Sequence, residues 1–162
     1  MISTPAATLR PARPTDRTML GRLGTLLVRT HHEFDPRRFV APTPETPDGY
    51  GSWLVSQMSD PKVIVFVAER DGVVVGYTYA GVEGRDWMSL RGPAGVLYDV
   101  VVDPAHRRHG IGKLLLDATL AELGVRGALQ VVLSTAEQNE EAQRLFAGAG
   151  FRRTMVEMTR EL

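Results

Sequence analysis

The chain has 162 residues, 43% hydrophobic and 23% charged, which fits one domain able to bury a core without cross-links. Nineteen Lys and Arg offset nineteen Asp and Glu, so the basic excess that marks nucleic-acid binding is missing. No cysteine is present, which excludes a thiol nucleophile, a disulfide framework and Cys-ligated zinc. The start lacks a signal-type apolar core and no apolar run reaches about 18 residues, so the expectation is a soluble cytoplasmic protein without a membrane partner.

Residues 1 to 6 read as a loose end, and Ala7 to Arg10 as a short strand. Thr15 or Asp16 caps a helix to about His32, with Met19, Leu20, Leu23, Leu26 and Leu27 at helical spacing. Gly21 and Gly24 weaken that helix by roughly 1 kcal/mol each. Phe34 to Gly49, rich in proline and charge, reads as a loop, and Tyr50 to Met58 as a second helix. Lys62 to Glu69 and Val73 to Val82 form a hairpin about Asp71-Gly72. Gly84 to Gly92 is a loop or excursion. Val96 to Val102 is an apolar, central strand.

Asp103-Pro104 ends that strand, and a helix from about Gly112 to Leu123 stops near Gly124. Leu129 to Leu133 is a short buried strand. Asn139 caps a helix ending at Gly148 or Gly150, and Phe151 to Arg160 is a last strand. Strand, helix, strand across 96–133 implies a parallel pair with a crossover helix, while the earlier meander implies antiparallel pairing. The expected fold class is therefore α/β, in the α+β sense of a mixed sheet, over a single domain 1–162.

The chemistry concentrates in Val100-Val101-Val102-Asp103-Pro104-Ala105-His106-Arg107-Arg108-His109-Gly110-Ile111-Gly112-Lys113, between a buried strand and a helix start. Unpaired N–H groups of a first helical turn, glycines that admit close backbone approach, and Arg107, Arg108 and Lys113 suit a pyrophosphate. A P-loop does not fit: Leu114 follows Gly112-Lys113, and Arg107 stands where its first glycine belongs. A dinucleotide fingerprint fails at Leu115, which takes the place of its third glycine.

The order Arg107, two residues, Gly110, one residue, Gly112, after a strand ending in Val-Asp-Pro, resembles the cofactor loop of the GNAT superfamily of N-acetyltransferases. Asn139, two residues, Ala142, three residues, Phe146, then Gly150-Phe151, is similar to that family's second signature. Arg10-Pro11-Ala12 with Asp16 resembles its opening. The resemblance spans nearly the whole chain.

It implies the GNAT acetyl-CoA N-acyltransferase fold, an antiparallel meander followed by a parallel, splayed strand pair that lodges the pantetheine arm. Backbone groups of Val100, Val101 and Val102 would pair with the pantetheine amides, a form of strand addition. A backbone N–H there would hold the thioester oxygen. Backbone N–H groups from Arg107 through Arg108, His109, Gly110 and Ile111 to Gly112, beside Lys113, would hold the pyrophosphate. Asn139 would approach the cofactor's other side. The implied cofactor is acetyl-CoA as co-substrate, with no metal. The implied reaction is direct transfer to a small-molecule or peptide amine in a ternary complex, and a homodimer is a candidate assembly.

Asp99 interrupts an apolar strand, where a carboxylate needs a partner or a cavity. The resemblance makes it the catalytic base, directly or through water; a structural Asp at the strand's splay is the other reading. Tyr98 is the alternative catalytic residue. In a regular strand it faces away from Asp99, and a bulge would change that. Phe146 stands where many members carry the tyrosine that protonates the leaving thiolate, so Tyr98, Tyr77, Tyr79, Ser134 or water would supply the proton, or none is needed. His31-His32 points about 100° apart on a helix and suits a helix C-terminus better than a shared metal; this stretch lies where the family builds its acceptor pocket. His106 and His109 flank the loop. A non-catalytic acyl-CoA sensor and an acyltransferase for longer acyl groups are the rival readings.

Overall fold

Five strands form one mixed sheet in the order β1-β2-β3-β4-β5, in a computed structural model that describes residues 6–162. Strands β1 (Thr8–Pro11), β2 (Val63–Arg70), β3 (Val73–Glu83) and β4 (Ala94–Val102) pair antiparallel, and β5 (Val131–Leu133) runs parallel to β4. This is the mixed α/β fold with an antiparallel meander and a terminal parallel pair. The expected loose end lies, but for Ala6, outside the described residues.

Helices α1 (Arg17–Phe34) and α2 (Thr46–Gln57) cover one face of the sheet, and α3 (Ile111–Val125) covers the other, with α4 (Glu140–Gly148) beside it. Leu20, Leu23 and Leu54 from α1 and α2 pack against Val65, Val67, Tyr77 and Val101. On the opposite face Leu115, Leu116 and Leu123 of α3 are fully buried. Each such leucine stabilises the fold by about 1.5–3 kcal/mol.

The two glycines of α1 are contact points with α2. A Cβ on Gly21 would lie 2.0 Å from the Pro47 carbonyl oxygen, and one on Gly24 would lie 2.1 Å from Cδ1 of Tyr50. Close helix approach explains why α2 starts at Thr46 and not at Tyr50: Pro47 takes a first-turn position, where its missing N–H costs nothing. The 34–49 loop is correspondingly shorter than expected.

Other boundaries also move. Asp16 precedes α1 without capping it; its carboxylate accepts from Arg10 Nη1 at 2.8 Å, Arg10 Nη2 at 2.9 Å and the Arg13 N–H at 2.8 Å. Helix α3 runs through Gly124 and ends where Gly127 turns to φ +88°. The last strand of the meander's partner is shorter than expected, because Leu129 is exposed and pairing begins beyond it. Phe151 to Arg160 forms no strand. Residues 152–162 are exposed, and their charged side chains pair with loops and α4: Glu157 with Arg38, Glu161 with Arg37 at 3.7 Å, and Arg153 with Gln143 at 3.4 Å. Anchored this way, the segment has no ladder partner. Asp71-Gly72 does make the expected hairpin turn, with φ +52° and +76°.

Candidate active site

Strand β5 pairs with β4 through Gly95–Val131, Val96–Val132 and Leu97–Leu133, and pairing ends there. Beyond Leu97 and Leu133 the two parallel strands separate. A cavity of about 290 Å³ opens between them, walled by Leu97 to Val100, Leu133 to Thr135, Asn139 and Phe146, and by α1 with the following loop.

A bulge shapes the floor. The β3–β4 register pairs Tyr79 with Asp99 but Ala80 with Leu97, leaving Tyr98 as the extra residue. Tyr98 stacks on Tyr79 at 4.5 Å between ring centroids, and both Tyr98 and Asp99 line the cavity. The Tyr98 hydroxyl donates to Glu83. The strong acceptor and burial hold the phenol proton in place, raising its pKa above the ordinary tyrosine value.

Asp99 is almost wholly buried. Its Oδ2 accepts from Tyr50 Oη at 2.7 Å and Tyr77 Oη at 2.8 Å. Burial raises the Asp99 pKa above the ordinary carboxylate value; the two phenols oppose that rise. Among the described residues nothing donates to Oδ1, the oxygen left for a cavity occupant. Tyr77 follows from strand alternation, because β3 residues 77 and 79 share the face of Asp99. Tyr50 could not be foreseen: it reaches Asp99 from α2, seated over the bare Cα of Gly24.

His31 also lines the cavity. Its Nδ1 lies 2.8 Å from the Leu27 carbonyl oxygen, and its ring meets Phe39 edge-on at 5.1 Å. His32 bonds the Phe39 carbonyl instead, at 2.9 Å. The two histidines diverge, and among the described residues no three potential metal ligands converge.

The 107–113 loop lies outside the cavity walls, at the C-terminal end of β4. Arg108 and Gly110 hold φ of +63° and +74°. For an arginine the left-handed conformation costs about 1–2 kcal/mol. His109 Nδ1 braces the loop against the Arg107 carbonyl at 2.8 Å. Among the described residues the N–H groups of Arg108 to Lys113 have no hydrogen-bond partner in the protein. A run of unpartnered amides at a helix start is suited to an anion with several oxygens. Arg107 Nε donates to the Val102 carbonyl at 3.1 Å, so that carbonyl is already engaged. Lys113 pairs with Asp117 on the α3 surface. Val101 packs into the core under α1, while Val100 reaches the cavity. Asn139 caps α4 by accepting from the Ala142 N–H at 3.2 Å and also lines the cavity, so both of its expected roles are compatible. Phe146 lines the cavity without offering a hydroxyl.

The family model described as "Acetyltransferase (GNAT) family" matches residues 27–151. A mycothiol acetyltransferase of Thermobispora bispora is 38% identical over 120 residues, covering 67% of this chain and 39% of that protein. The chain thus spans about two fifths of that relative's length. A solved protein of Bacillus halodurans superposes with a TM-score of 0.83 at 20% identity, covering 96% of this chain and 99% of that one. An aminoglycoside N-acetyltransferase solved with CoA superposes with a TM-score of 0.76 at 18% identity, covering 100% and 99%.

Proposed function

The chain belongs to the acetyltransferase (GNAT) family, and from that premise we propose that it transfers acetyl from acetyl-CoA to an amine by direct attack in a ternary complex. The observation that carries the proposal is a pairing of features on one strand: β4 bears a buried carboxylate where its pairing with β5 ends, and a run of unpartnered amides follows its C-terminal end at the start of α3. Acetyl-CoA brings an activated thioester and a pyrophosphate to such a groove.

Amides from Arg108 to Gly112 would hold the pyrophosphate, with Arg107, Arg108 and Lys113 supplying positive charge and Ile111 seating the helix in the core. The open edge of β4 around Val100 would take the pantetheine as an added strand. Asn139 and Phe146 would close its far side. Asp99, through Oδ1, would attract the ammonium form of the acceptor to the thioester. Tyr98 would position the acceptor by its ring, since its hydroxyl is committed to Glu83. Phe146 in the wall offers the leaving sulfur no hydroxyl, so the sulfur departs as thiolate.

The acceptor side is apolar: Leu27, Val28, Phe39 and Val40 surround it, and His31, Tyr98 and Asp99 are its ionisable groups. One carboxylate in an apolar mouth favours a single primary amine on an apolar body over a polycation. We place the activity in one domain and in the cytoplasm.

Calorimetry with acetyl-CoA tests the reading. Binding in the micromolar range, with a rise in melting temperature by mass action, is expected; a shift with NAD or ATP and none with acetyl-CoA would overturn it.

A further inference from the structure

Asp99 presents only Oδ1 to the cavity. Its Oδ2 takes two phenolic hydrogen bonds, 2.7 Å from Tyr50 and 2.8 Å from Tyr77, which oppose the rise that burial gives its pKa. One open carboxylate oxygen suits the counter-charge of a bound ammonium. For the proton itself the cavity has a second candidate. His31 sits in the last turn of α1, in the wall that Asp99 also lines.

The environment of His31 selects one form of the ring. Nδ1 is 2.8 Å from the Leu27 carbonyl oxygen, which can only accept, so Nδ1 carries the hydrogen. The neutral ring then keeps its lone pair on Nε2, which has no partner among the described residues. Phe34 at 6.0 Å and Phe39 at 5.1 Å hold the ring edge-on, so its orientation is set before any acceptor arrives. The carboxylate of Asp99 lines the same cavity. A tautomer set by a carbonyl, an open ring nitrogen and a carboxylate in the same cavity to hold the ammonium are what a general base requires.

We propose that His31 is the catalytic base that removes the proton from the acceptor amine, with Asp99 holding the cation. This rests on the acetyltransferase reading. Nε2 takes one proton from the bound ammonium, giving a free amine. The amine nitrogen attacks the thioester carbonyl; the C–N bond forms and the C–S bond breaks. The second nitrogen proton leaves with the departing thiolate, which becomes the thiol of CoA. The imidazolium releases its proton to water, so one ammonium and one thioester give one amide, one thiol and one proton.

The test uses two probe amines at pH 7, strongly basic benzylamine and weakly basic trifluoroethylamine, with CoA release as the readout. His31→Asn keeps a donor for the Leu27 carbonyl and removes the base. It should lower kcat for benzylamine by about 10²–10⁴-fold and for trifluoroethylamine far less, because that amine is already unprotonated. His31→Ala should lose the same activity, and added imidazole should restore part of it. Equal losses for both amines without imidazole rescue would overturn the proposal, as would full activity of His31→Asn or no turnover of either amine by the wild type. Acetyl-CoA calorimetry separates the two readings: failure of the wild type to bind it removes the acetyltransferase site itself, whereas normal binding with an unaffected His31→Asn removes His31 alone.

Discussion

Tyr98 and Asp99, neighbours in β4, face the same side of the sheet, because the bulge opposite Tyr79 and Ala80 inserts one residue between Asp99 and Leu97. The bulge thereby sets an aromatic ring beside a buried carboxylate at the point where β4 and β5 part.

Asp99→Asn retains an acceptor for the two tyrosines and removes the charge. With an amine acceptor, kcat/KM should fall by about 10²-fold or more through loss of the charge that holds the ammonium, while the acetyl-CoA Kd from calorimetry stays near wild type. Burial raises the Asp99 pKa, so as pH falls its ionised form is lost above the ordinary carboxylate value of about 3.9. The part of the acid limb of wild-type kcat/KM that belongs to Asp99 should therefore set in above that value and be absent in Asp99→Asn.

Tyr77→Phe removes one of the two donors that oppose the burial of Asp99. The acid limb should move to still higher pH. A buried carboxylate short of a donor should cost about 1–3 kcal/mol in urea unfolding. Tyr50→Phe should move the limb in the same direction; a limb unmoved in both variants would show that the phenols do not tune Asp99.

Gly24→Ala should resemble Tyr50→Phe in its pH profile. The new Cβ falls 2.1 Å from Cδ1 and 2.7 Å from Cγ of Tyr50, so the ring must swing away from Asp99. Overpacking of this kind costs about 1–3 kcal/mol, enough to outweigh the helix-propensity gain of about 1 kcal/mol from replacing glycine. Denaturation and a pH–rate profile measure the two effects.

Gly112→Ala should separate binding from folding. Its Cβ would meet Leu145 at 3.6 Å and Val102 at 3.8 Å, ordinary contacts, so stability should hold or rise. If the pyrophosphate lies against these amides, acetyl-CoA affinity should fall by about tenfold, equivalent to about 1.4 kcal/mol. Gly110→Ala should also destabilise, by about 1–2 kcal/mol, because Gly110 has φ +74°.

The Arg10–Asp16 pair should appear in the pH dependence of stability. Hydrogen bonds from Arg10 lower the Asp16 pKa in the folded chain. Its stabilisation is complete above the unfolded value of about 3.9 and is lost as pH falls through the lower folded value. Asp16→Asn should unfold at lower urea at neutral pH and show a flatter profile in that acid window.

Much of the fold was legible because its signals are local. Strand periodicity in 63–83, the Asp71-Gly72 turn, Asn139 as a cap and the glycines before α3 each depend on residues within a few positions. The loop's backbone was legible for the same reason: glycines before a helix start leave the N–H groups of Arg108 to Lys113 without a partner among the described residues. The C-terminal strand does not form because a run such as 151–160 becomes a strand only if a partner edge is available; here it pairs with no described strand, and its exposed charges meet Arg37 and Arg38. The start of α2 was misread because prolines and glycines signal a loop unless another helix packs against them at backbone distance.

The sequence by itself determined the mixed sheet, the crossover helix and the place of the glycine loop before α3, all consequences of short-range pattern. Only the tertiary structure decided the centre of the site. Asp99 gains its two phenols from β3 and α2, and His31 its place opposite that carboxylate from α1; their separations of 22, 49 and 68 residues carry no sequence signal. The bulge that turns Tyr98 to their side depends on register with β3, which is set by packing against the sheet's two faces rather than by any residue near Tyr98.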